Sequence, residues 1–80
     1  MVMRSDEYLV TTASDLGAAL KHYRTAAGIT QHAAAEADGV GQPYLSGLEA
    51  GRFGSSLTHA LRLLRLVGCE LVVRPRMNRG

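Results

Sequence analysis

Tryptophan is missing from this sequence, and phenylalanine and cysteine each occur once. A core without large rings must be aliphatic, assembled from leucine, valine and alanine. A lone cysteine, Cys69, cannot form an internal disulfide, so the chain reads as cytoplasmic. No activating base stands near it, and it is expected as a small apolar filler rather than a nucleophile. No apolar run approaches the ~18 residues needed to span a bilayer, so no membrane partner is expected. The opening MVMRSDEYLV lacks the apolar segment and cleavage pattern of a secretion signal. His22, His32 and His59 are far apart, with no Cys, Asp or Glu at ligand spacing, which argues against a metal site. P-loop, catalytic triad and paired carboxylates are missing too. No catalytic residue and no cofactor is expected, and an enzyme is the least favoured class.

What remains is one small domain over residues 1–80, near the size at which a single core only just offsets chain entropy. A second copy or another partner is therefore expected to share its apolar surface. Charge is unevenly spread. Residues 1–50 carry three basic side chains against six acidic ones, whereas residues 51–80 carry six arginines against Glu70 alone. A basic C-terminal half suits a phosphate-binding surface, and a solvated polar rim is the alternative.

Residues 8–11 read as a short extended piece. Thr12, with Asp15 three residues on, has the pattern of a capping box. Leu16, Ala19, Leu20, Tyr23 and Ala27 then repeat at helical spacing, which predicts a helix over 13–27 ended by Gly28. Thr30 can cap a second helix over 31–38, which Gly39 would end. A third begins near Gln42, where Pro43 suits a first turn that needs no N–H. Ser55 or Ser56 can cap a fourth, LTHALRLLRLV, ended by Gly68. Its leucines cover two faces: Leu57, Leu61 and Leu64 on one, with Leu63, Leu66 and Val67 beyond it. One face can meet the core and the other needs a partner. The β-prone CELVVRP follows, and a lone strand must pair, with residues 8–11 or with the same strand of a second copy. The helical part is expected over 12–68, the strand over 70–74 and a tail over 76–80.

The second and third helices are joined by a short glycine-containing turn, the spacing of a helix-turn-helix, whose second helix enters the DNA major groove. Leu45 and Leu48 can anchor that helix on one side, and small residues such as Ser46 and Gly47 leave the other side open to DNA. TQHAAAEADGVGQPYLSGLEAG resembles the helix-turn-helix of Xre/Cro-type repressors, with Gln31, Ala35, Gly39, Gln42, Leu45, Ser46, Leu48, Glu49 and Gly51 at that family's spacings. Over residues 12–74 the chain is most similar to HipB-type antitoxins, in which four helices are followed by a strand that pairs across a dimer.

The resemblance implies a mostly α, lambda-repressor-like four-helix domain with a C-terminal dimer strand. Gln31 would donate to a phosphate, Gln42 would read adenine, Pro43, Tyr44, Ser46 and Gly47 would lie toward the groove, and Arg52 would meet the DNA backbone. Arg24 and Glu49 match a structural salt bridge. Leu63, Leu66, Leu71, Val72 and Val73 would join two copies. The implied partners are a palindromic operator in double-stranded DNA, a second copy, and a HipA-like serine/threonine kinase toxin whose operon the protein represses. A stand-alone or phage-type repressor, or an interaction adaptor on the same fold, stays open beside it. The sequence departs from the family pattern at Asp38, where an apolar residue is usual and where the side chain would turn outward or find an arginine. It departs again at Pro43 and Gly47, where base-contacting residues are common.

Overall fold

A computed structural model describes residues 2–4, 7–54 and 56–72. Strands β1 (Val2–Arg4) and β2 (Glu7–Tyr8) form a small antiparallel hairpin, and four helices follow: α1 (Ala13–Ala26), α2 (Gln31–Asp38), α3 (Gln42–Glu49) and α4 (Leu57–Leu66). The hairpin differs from the expected single extended piece. Pairing ends at Tyr8, and Leu9 to Thr11 carry no regular structure. Tyr8 lies beside His22 of α1, with ring centroids 5.6 Å apart.

Capping chemistry sets the first two helix starts. The Thr12 hydroxyl accepts from the Asp15 N–H, and Thr30 does the same for Ala33. Asp15 reaches back one residue further than a capping box would, accepting from the N–H and hydroxyl of Thr11. These bonds hold its carboxyl below the usual aspartate range. Gly39 ends α2 in the left-handed conformation at φ 73°, a region closed to most side chains, and so sets the turn into α3. Gly41 occupies the N-cap of α3, which moves Gln42 to the first helical position and Pro43 to the second. Ser56 stands at the N-cap of α4 without a side-chain cap bond, contrary to expectation. Ser55 lies outside the described residues.

Leu20, Ala34, Ala35, Leu45, Leu48, Leu63 and Leu64 form the core, edged by Leu16, Ile29, Val40, Phe53, Val67 and Cys69. Burying each leucine is worth about 1.5–3 kcal/mol relative to leaving it exposed. Cys69 is an apolar filler at that edge, and its burial raises the thiol pKa. Ala27 falls past the end of α1 and is exposed rather than part of its stripe.

The assignment of Leu63 to a dimer surface is corrected by its burial: it is 1% exposed. The inward face of α4 is Ala60, Leu63, Leu64 and Val67, an i, i+3, i+4, i+7 stripe that begins on an alanine and is missed when only leucines are counted. Leu57 and Leu61 instead flank it on the exposed side, and Leu66, 43% exposed, lies on the opposite flank. Leu71 and Val72 are exposed and lie outside any strand, so the expected strand over 70–74 is not formed at these residues. Val73 and the tail fall outside the described residues. Among those residues no helix is long and apolar enough to cross a membrane.

Candidate nucleic-acid interface

At 100° per residue, Leu45, Leu48 and Glu49 of α3 fall on one side, and all three are buried. Pro43, Ser46 and Gly47 fall opposite them. Gln42 lies on the flank facing Gln31, and Tyr44 on the flank facing α4. Gln42, Pro43, Tyr44 and Ser46 are exposed, and Gly47 is half-buried. One side of α3 is therefore anchored and the other is open.

The anchor is held by a polar ladder. Arg24 of α1 donates from Nε to Glu49 Oε2 at 2.5 Å, from Nη2 to Glu49 Oε1 at 3.1 Å, and from Nη1 to the Ile29 carbonyl at 2.7 Å. Both charged side chains are less than a tenth exposed. Gln31 Nε2 also donates to Glu49 Oε1, at 2.9 Å, and Gln31 Oε1 accepts from Gln42 Nε2 at 3.2 Å. A buried ion pair thus orients Gln31, which orients Gln42 at the open end of α3. Gln31, Gln42, Pro43 and Ser46 line a shallow recess there. The resemblance pairs Arg24 with Glu49 but gives no sign that Gln31 bridges Glu49 to Gln42. That link needs the α2–α3 angle, which one-dimensional spacing does not carry.

Tyr44 meets the edge of the His59 ring, with centroids 5.4 Å apart, so part of it packs on α4. His59 in turn has Nδ1 2.8 Å from Asp38 Oδ2, and Arg62 donates from Nε to Asp38 Oδ1 at 2.8 Å. Of the two fates open to Asp38, the arginine partner is the one realised. Its side chain is 7% exposed. Burial acts to raise its pKa, but hydrogen bonds from Arg62 and His59, with their charges, outweigh that and hold the carboxyl below its ordinary range. The cluster pins the C-terminus of α2 to α4 just before the Gly39 turn.

Arg52 follows α3 and donates its backbone N–H to the Gly47 carbonyl at 2.9 Å. Its guanidinium lies beside Gly47: a Cβ on that glycine would stand 3.8 Å from both Nε and Nη2. At Gly17 of α1 a Cβ would come within 2.5–2.7 Å of backbone atoms of Leu48, Glu49 and Gly51, and one at Gly51 would strike the Ser14 backbone at 2.7 Å. These two glycines let α1 touch the end of α3, so they fix where the open face points. Gly17 carries no role in the sequence reading. Its signal was a glycine in a helix interior, where it costs about 1 kcal/mol and calls for a packing reason.

Leu66, Leu71 and Val72 are exposed and open to a partner, while Leu63 is not. Among the described residues no group of three His, Cys, Asp or Glu side chains could hold a metal ion.

A search of curated proteins finds no match to the chain. Residues 15–77 match the family described as a helix-turn-helix domain, a span that includes α2, the Gly39 turn and α3 with its open face. The chain belongs to the helix-turn-helix domain family, a fold of DNA-binding regulators, with α3 in the place of the helix that enters the groove.

Proposed function

We propose that the protein is a sequence-specific transcriptional repressor that binds a palindromic operator as a dimer, with α3 in the major groove. The observation that carries this is the ladder from Arg24 through Glu49 and Gln31 to Gln42. An amide has two N–H groups and a carbonyl. Gln42 spends one N–H on Gln31, which leaves the other N–H and Oε1 to meet N7 and N6 of an adenine. Gln31 spends one N–H on Glu49 and keeps its second for a phosphate. Pro43 and Ser46 lie beside them without protruding, so the α3 backbone can approach the base edges. Tyr44 serves from the α4 flank, and Arg52 adds positive charge.

Two recognition helices would enter successive grooves about one helical turn, ~34 Å, apart. Support for the dimer comes from exposed Leu66, Leu71 and Val72, with Val73 continuing that apolar run in sequence. We further assign the chain, on its resemblance to HipB-type antitoxins, to a toxin–antitoxin operon that it represses. A HipA-like kinase would bind outside the α3 face. A stand-alone repressor would use the same DNA chemistry.

The test of the DNA reading is selection of bound duplexes from a randomised pool by the wild type and by Gln42→Ala. A palindromic motif that loses an adenine preference in the variant, with unchanged thermal unfolding, supports it. Identical motifs would remove Gln42 from the readout. For the operon assignment, copurification of a kinase-like protein in near-stoichiometric amount is expected, and recovery of the protein alone with DNA would favour the stand-alone repressor.

A further inference from the structure

We propose that Arg52 is a base-reading residue, supplying to the open face of α3 the cation that the helix itself lacks. The inference rests on the DNA-binding reading and adds a specificity determinant to it. No lysine or arginine occurs between Gln42 and Glu49. Gly47 lies within about 30° of the middle of the open face, where a side chain would project into the groove. Instead, the Arg52 guanidinium occupies the neighbouring space, 3.8 Å from the place of the missing Cβ.

Arg52 reaches that place because the chain reverses at Gly51, whose φ is 90°, and because the Arg52 N–H is tied to the Gly47 carbonyl. The reversal is itself seated against α1, since Gly51 touches the Ser14 backbone. Placement of the guanidinium thus follows from the fold around it. The charge is also unspent. Arg24 is committed to Glu49 and Ile29, and Arg62 to Asp38, whereas the Arg52 guanidinium has no hydrogen-bond or ion-pair partner among the described residues.

A phosphate contact asks only for a cation beside the helix. A planar fork on the groove side of a helix matches the O6 and N7 acceptors of guanine in a bidentate pair. Gly47 provides the clearance, because a bulky side chain there would take the space the fork uses.

Selection from a randomised duplex pool distinguishes the two roles, using wild type, Arg52→Lys, Arg52→Ala and Gly47→Leu. The expected result is a guanine in each half-site of the wild-type motif that becomes degenerate in all three variants. Discrimination at that position should fall roughly 5- to 150-fold, with the rest of the motif kept. Arg52→Lys should keep the wild-type salt dependence, since it retains the charge and loses only the fork. An unchanged motif in Arg52→Ala, with affinity lowered uniformly and a shallower salt slope, would overturn the proposal and make Arg52 a phosphate contact. No enrichment of any duplex by the wild type would overturn it together with the DNA-binding reading on which it stands.

Discussion

At the scale of single residues, Glu49 accepts from Arg24 and from Gln31 with a side chain only 4% exposed. Replacing it by alanine leaves the buried Arg24 guanidinium without its counter-ion, so Glu49→Ala should lower stability by about 3–5 kcal/mol. Urea unfolding checks this, and a loss under about 1 kcal/mol would mean that water reaches Arg24 freely. Asp38 makes a pH-dependent contribution. Its folded carboxyl ionises more readily than an ordinary aspartate, whose value is 3.8. Its stabilising contribution is therefore present above that value and is lost as pH falls through the lower folded value. Asp38→Asn should cost stability at neutral pH and narrow the gap between unfolding midpoints measured at pH 7 and pH 3. An unchanged gap would take Asp38 out of the acid response. The Arg24–Glu49 pair could be anticipated from resemblance. For Asp38 an arginine partner was one of two expected fates, but which residues meet it was not legible, because Arg62 and His59 are brought to it only when α4 crosses the end of α2.

At the scale of elements, a missing side chain decides how α1 meets α3. Gly17→Ala would force a methyl into the backbone at Leu48 and Glu49, so it should destabilise by about 1–3 kcal/mol or more, despite alanine's better helix propensity. Unfolding of this variant with stability equal to the wild type would mean that the two helices can separate without cost. In α4, Leu63→Ala should cost about 2–5 kcal/mol, while Leu66→Ala should leave the monomer's unfolding nearly unchanged. The helix positions were legible because most starts and stops carry local chemistry: Thr12, Thr30, Pro43, and the glycines Gly28, Gly39 and Gly68. The inward face of α4 was not, since five leucines on a ten-residue helix fit more than one stripe and Ala60 settles which is buried. The N-terminal hairpin was legible only in its second half, at Tyr8, because the three residues of Val2–Arg4 are too few to display a strand's alternation.

At the scale of the whole molecule, a small aliphatic core supports one open helix face and leaves apolar side chains exposed near its C-terminal end. If Leu66, Leu71 and Val72 lie between two copies, Val72→Pro and Leu66→Ala should each weaken self-association. Sedimentation equilibrium at several loading concentrations measures that, and an unchanged dimer constant would place the interface elsewhere. The strand expected over 70–74 from its β-prone residues is not formed at Leu71 and Val72, and Tyr8, in the stretch that is its candidate partner within one chain, pairs with Val2. A second copy is the partner that the proposed dimer would offer it.

In the proposed function α3 reads DNA through Gln42, set in place by the ladder behind it. The most direct measurement is fluorescence anisotropy of a labelled duplex carrying the selected motif, titrated with the wild type and Gln42→Ala at rising salt. Wild-type affinity should fall steeply and linearly in log–log form with salt. The variant should be weakened roughly 5- to 150-fold on the motif and little changed on scrambled duplex. Equal binding by the two proteins at every salt, or no salt-sensitive binding at all, would rule out readout through Gln42.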